Sequence, residues 1–166
     1  CGGLWAELKT LNLAKEISDA EVVTYRLREK DKLFLDDILQ QENLNDVIFV
    51  ISWGFDVAKL APRLKSYNVV YHAHSAGYGF KLPASIPIIT VSRNTLGYWG
   101  QLSPHSLIYY LPNQISDEFN NQNLERDIDV LVLARKSSEY LMEDLVPALQ
   151  QKCKLELVDY YIEDIA

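Results

Sequence analysis

A chain of 166 residues suffices for one full domain, or for one domain and part of another. Nearly half of it is hydrophobic, which supplies a real core and excludes a disordered or low-complexity chain. The net charge of −7 argues against nonspecific nucleic-acid binding, which needs a basic footprint, while leaving room for a small basic phosphate pocket. Cys1 and Cys153, the only cysteines, form neither a disulfide framework nor a zinc spacing, so a reducing compartment is expected. No apolar run reaches the length of a membrane span and no signal pattern opens the chain. The start at Cys1-Gly2-Gly3, without Met, is expected to follow sequence removed upstream, with a first strand of the domain as the candidate for what was lost.

Leu4, Leu8 and Leu11, extended by Ile17, fall on one stripe of a helix. Gly2-Gly3 precede it, where glycine lets a ligand approach the backbone and free N–H groups suit a phosphate or sugar hydroxyl. Five β-branched or aromatic runs follow, around Val22–Tyr25, Val47–Ile51, Val69–Tyr71, Ile88–Val91 and Leu107–Leu111. Continuous runs of this kind read as strands buried on both faces. Helices are expected between them at 55–66, with Pro62 weakening the middle, and at 94–100, with Ser92 as N-cap. Alternation of strand and helix predicts an α/β fold: a Rossmann-like, mostly parallel sheet with helices on both faces.

The polar segment 116–126 reads as a linker. The expected organisation is a first domain over 1–118, a linker over 119–126 and an incomplete second Rossmann-like unit over 127–166. In that unit Asp129–Ala134 is expected to be a buried strand, 139–151 a helix interrupted by Pro147, and Leu155–Asp159 a second strand.

Chemistry is expected at the carboxyl ends of the strands, where open α/β sheets bind ligands. His72 and His74 end the Val69 strand, and a spacing of two puts both imidazoles on one face. Ser75 and the loop glycines Gly77 and Gly79 follow. A metal there needs a third ligand, and no nearby Cys or carboxylate has helpful spacing, so none is expected. Trp53 ends the preceding strand, where it stacks on a sugar or base, or packs in the core. Ser92 and Asn113 end two later strands. Arg135 and Lys136 follow the first strand of the second unit, where a guanidinium suits a diphosphate and a solvated loop charge is the plain alternative.

Taken in order, these stretches resemble the retaining glycosyltransferases of family 4, the group 1 family, whose GT-B fold has two facing Rossmann-like domains. The resemblance rests on Gly2-Gly3 before the first helix, on Tyr71-His72-Ala73-His74-Ser75, on Val91-Ser92 and on Pro112-Asn113-Gln114. It also rests on Ala134-Arg135, with Ala in place of the usual Gly and Tyr140 in place of the usual Lys. It implies an acceptor-side domain and the start of a donor domain of a hexosyltransferase-type enzyme. It implies His74 as the catalytic residue and Gly2, Gly3, His72, Ser75, Ser92 and Asn113 as substrate-binding residues. Arg135 and Lys136 would hold the donor diphosphate. No metal or cofactor is implied beyond the nucleotide-diphosphate sugar, and the acceptor would be a saccharide or a lipid-linked one. The location would be cytoplasmic, with peripheral contact at the inner face of a membrane as a variant. The family's pair of glutamates seven residues apart falls past Ala166, so this stretch alone is not expected to turn over. The rival readings are a non-catalytic α/β domain that binds a nucleotide or a partner, and a metal hydrolase resting on His72 and His74.

Overall fold

The computed structural model describes residues 2–52, 54–115, 120–121, 123–134 and 137–159. The chain divides into two compact units, Cys1–Gln114 and Ile115–Ala166.

The first unit is mixed α/β and Rossmann-like. Its main sheet holds β3 (Ile48–Ser52), β4 (Asn68–Ala73), β5 (Ile88–Thr90) and β6 (Ile108–Tyr110) in that order, all parallel. When successive parallel strands step one way across a sheet, right-handed crossovers put their connections on the same face. Helices α3 (Val57–Leu64) and α4 (Arg93–Leu102) obey this, and both pack into one core with the sheet. Helix α1 (Gly2–Ile17) reaches the other face, because its Glu7 meets His72, which alternation turns away from Tyr71 and α4. The 74–87 connection has no helix and seals the core with Phe80, Leu82 and Ile86.

The core face is aromatic at its centre. Trp99 of α4 and Tyr71 of β4 are fully buried and meet edge to face at 5.1 Å, with Phe80 beside both. The Trp99 indole N–H donates to the Ser75 carbonyl at 3.3 Å, which satisfies its polar edge. The Tyr71 hydroxyl is buried with no hydrogen-bond partner among the described residues. Burial, and to a lesser extent Tyr78 and Tyr98, push its pKa up.

Four expectations need correction, the last of them the Val22–Tyr25 run. The strand runs are not buried on both faces: Ile48, Val50 and Tyr109 are exposed on the α1 side, which a single helix covers near its carboxyl edge. Helix α1 does not bury its leucine stripe. Leu4, Leu8 and Ile17 are exposed, while Gly3, Ala6, Glu7, Leu11 and Ala14 are partly buried, so small residues and a carboxylate approach the sheet. Gly2 and Gly3 lie inside the first turn of α1 and not in a loop before it.

The Val22–Tyr25 run also leaves the main sheet. Its β1 (Val23–Thr24) pairs in parallel with β2 (Leu33–Phe34) as a separate two-stranded ribbon that leads into α2 (Leu35–Ile38). Asp56, at the N-cap of α3, ties this ribbon to the domain by accepting from the Tyr25 hydroxyl at 2.6 Å and from Arg26.

In the second unit β7 (Val130–Leu133) pairs in parallel with β8 (Leu155–Val158) in a sheet of their own. The intervening helical backbone runs through 139–150 without a break, and Pro147 is accommodated by a π-turn over Leu141–Leu145 that gives way to α5 (Val146–Gln150), with proline in its first turn. Val132, Val146 and Val158 are buried, but Leu131 and Leu133 are exposed, so β7 is covered on one face only.

Trp99→Ala should cost about 3–5 kcal/mol of stability, the usual toll of emptying a fully buried aromatic site. Tyr71→Phe, which removes only a buried unpaired hydroxyl, should leave the urea midpoint unchanged or raise it. A clear loss in Tyr71→Phe would mean that the hydroxyl has a partner.

Candidate functional site

Parallel pairing gathers the carboxyl ends of β3, β4, β5 and β6 along one edge. There β4 finishes in His72-Ala73, and His74 follows on the same side as His72. The two imidazoles stand 4.4 Å apart between centroids, tilted by 54°. Both point at one carboxylate. Glu7 Oε1 lies 2.7 Å from His72 Nδ1 and 2.7 Å from His74 Nε2. Ser52, paired with His72 across the β3–β4 ladder, hydrogen-bonds the same carboxylate. Both imidazole side chains are buried and Glu7 is nearly so.

The electrostatics follow from this packing. Burial by itself pushes the Glu7 carboxyl up. Hydrogen bonds from His72 and His74, attraction to the His72 ring and the Ser52 hydrogen bond outweigh it and hold the pKa at about 2. Glu7 is therefore a carboxylate at neutral pH, an acceptor for the ring N–H groups facing it. His72 Nε2, on the far side of its ring, is buried without a partner among the described residues.

Sequence spacing paired the two histidines correctly. The missing member was Glu7, 67 residues before His74, which no local spacing could have joined to it. It lies one turn after Gly3, so the first turns of α1 stand over the carboxyl end of β4. Glu7, His72 and His74 are also the one group of three His, Cys, Asp or Glu residues, among those described, whose ligand atoms cluster within 4.8 Å.

The other expected site residues lie as follows. Gly2 and Gly3 open α1, and Ser75 offers its carbonyl to Trp99. Ser92 caps α4 in a capping box. The Thr95 N–H donates to Ser92 Oγ at 3.1 Å, and the Ser92 N–H donates to Thr95 Oγ1 at 3.0 Å. Asn113 is exposed past the end of β6. Trp53, Arg135 and Lys136 lie outside the described residues.

An aromatic group borders the same strand ends. Phe55, just after β3, is exposed and meets Tyr78 edge-on at 5.3 Å; Tyr78 stacks on Phe80 at 5.8 Å. Gly77 and Gly79 hold positive φ on either side of Tyr78, a conformation that favours glycine, and the Gly79 N–H donates to the Tyr98 hydroxyl at 3.2 Å.

No helix among the described residues is long and apolar enough to cross a membrane. Comparison with protein-family models, with curated proteins and with solved structures finds no match to this chain.

The depressed Glu7 pKa makes stability depend on acid. A carboxyl held at about 2 when folded and near 4.5 when free stabilises the fold fully above pH 4.5 and loses that contribution as pH falls towards 2. Glu7→Gln should thus be less stable than the parent at neutral pH, on the order of 2 kcal/mol. The gap should close towards pH 2 in urea titrations; a constant gap would contradict the shared-carboxylate account. Separately, Ser92→Ala should cost about 1 kcal/mol through loss of the cap. An unchanged urea midpoint would show that the hydroxyl is free for another role.

Proposed function

We propose that this chain belongs to a glycosyltransferase that moves a sugar from a nucleotide-diphosphate donor to a saccharide or lipid-linked acceptor with retention, the first unit being the acceptor-side domain of a GT-B enzyme. The observation that carries the reading is the placement of His74. It follows the carboxyl end of β4, held by Glu7 beside His72, where an open parallel sheet presents ligands. The order of the motifs, from Gly2-Gly3 through His72 and His74 to Ser92 and Asn113, agrees with it.

In this reading His74 hydrogen-bonds the transferred sugar and steadies it as charge develops on the departing diphosphate. Glu7 fixes the ring by holding Nε2, which leaves Nδ1 for the substrate. Phe55 and Tyr78 offer apolar faces of the kind that stack on pyranose rings. Gly3 gives the backbone room beside the acceptor or the diphosphate. Arg135 and Lys136 are the proposed partners of the donor diphosphate. The enzyme would work in the cytoplasm, at the membrane face if its acceptor is lipid-linked.

The test is transfer by the intact protein with a panel of nucleotide-diphosphate sugars. His74→Ala should lower turnover by roughly 100-fold or more, the scale for losing one aimed hydrogen bond, with far-ultraviolet circular dichroism unchanged. A folded variant that retains parental turnover would overturn the role of His74. The absence of transfer or hydrolysis with every donor would overturn the class.

A further inference from the structure

We infer that Glu7, His72 and His74 form a binding site for a divalent transition-metal ion of the zinc type. The inference stands on the cluster and not on the transferase reading.

Two imidazole nitrogens and one carboxylate oxygen are a donor set that zinc accepts, with a fourth position left for water or a ligand. The three donor atoms, His72 Nδ1, His74 Nε2 and Glu7 Oε1, lie within 4.8 Å of one another. Bonds of roughly 2.0–2.2 Å in a tetrahedron separate ligand atoms by about 3.3 Å. The present 2.7 Å contacts therefore need to open by about 0.6 Å to reach that separation. Glu7 and His72 come from regular elements, the second turn of a 16-residue helix and the end of a central strand, and His74 follows that strand after one residue, so most of the geometry is formed in advance. Their burial screens the ion from bulk water.

Binding takes the lone pairs of the two ring nitrogens and one carboxylate oxygen. The proton on each of those nitrogens leaves for the other nitrogen of its ring or for solvent. For His72 that other nitrogen, Nε2, is buried without a partner among the described residues. The outer hydrogen bond that usually orients a ligating histidine is thus missing at one of two rings. Such a loss commonly weakens affinity 10–100-fold, so the site should bind less tightly than one whose two rings are both oriented from outside. An ion here would tie α1 to β4 by coordination where hydrogen bonds now do so.

The experiment is titration of the intact protein with zinc chloride against a chromophoric chelator, and with cobalt(II) chloride followed by visible absorption. One equivalent should bind, with the intense d–d bands of four-coordinate cobalt, and the melting temperature should rise with added zinc. Glu7→Gln and His74→Asn should each weaken binding at least tenfold, whereas Cys1→Ser/Cys153→Ser should leave it unchanged. The ring ¹⁵N resonances of the parent serve as a second readout that does not depend on how well any variant folds. Zinc should shift His72 Nδ1 and His74 Nε2 and spare His105. Absence of one-equivalent binding, its loss in the cysteine variant, or ring shifts at His105 alone would overturn the site.

Discussion

One carboxylate holds the carboxyl edge of the main sheet to helix α1. Glu7 accepts from the end of the central strand through two imidazoles at 2.7 Å, and Ser52 of the neighbouring strand joins it. Helix α1 offers the sheet little apolar surface at that point, since Gly3, Ala6, Glu7 and Ala14 lie on its approaching side and Leu11 is the one large apolar residue among them. Its seat over the strand ends therefore depends on a polar contact that has been taken out of water. Such contacts are valuable when fully satisfied and costly when one partner is removed. The low pKa of Glu7 is the electrostatic expression of this arrangement.

The opposite face works by different physics. There α3 and α4 bury a contiguous apolar core against β3, β4 and β5, with Trp99 and Tyr71 at its centre. The division follows from strand order: an all-parallel sheet laid down in one direction sends its crossovers to one side. Tyr71 and His72 are neighbours in the chain, yet alternation gives one to the core and the other to the site. The same strand thus gives an apolar face to the core and a polar, hydrogen-bonded face to the cluster around Glu7.

Much of this was legible in the sequence because short β-branched runs between amphipathic stretches have few other uses. The four main strands, the cap at Ser92 and the irregular helix around Pro147 all follow from local signals. The histidine pair was legible because a period of two is rigid in a strand. Glu7 was not, because its partnership spans 67 residues and its helix carries a more conspicuous leucine stripe. That stripe misled: exposed Leu4 and Leu8 look like a core face, but the domain uses the small-residue side. Strand β2 escaped notice because two residues carry no periodicity. Burial of the strand runs was overread because hydrophobicity reports what a face tolerates, not whether a helix covers it.

The most direct test of the shared carboxylate is the protonation pattern of the two rings, read by long-range ¹H–¹⁵N correlation at neutral pH. The account predicts hydrogen on His72 Nδ1 and on His74 Nε2, the nitrogens that face Glu7, and a change at both rings in Glu7→Gln. Finding the His72 hydrogen on the buried Nε2 alone, or rings indifferent to Glu7→Gln, would contradict it.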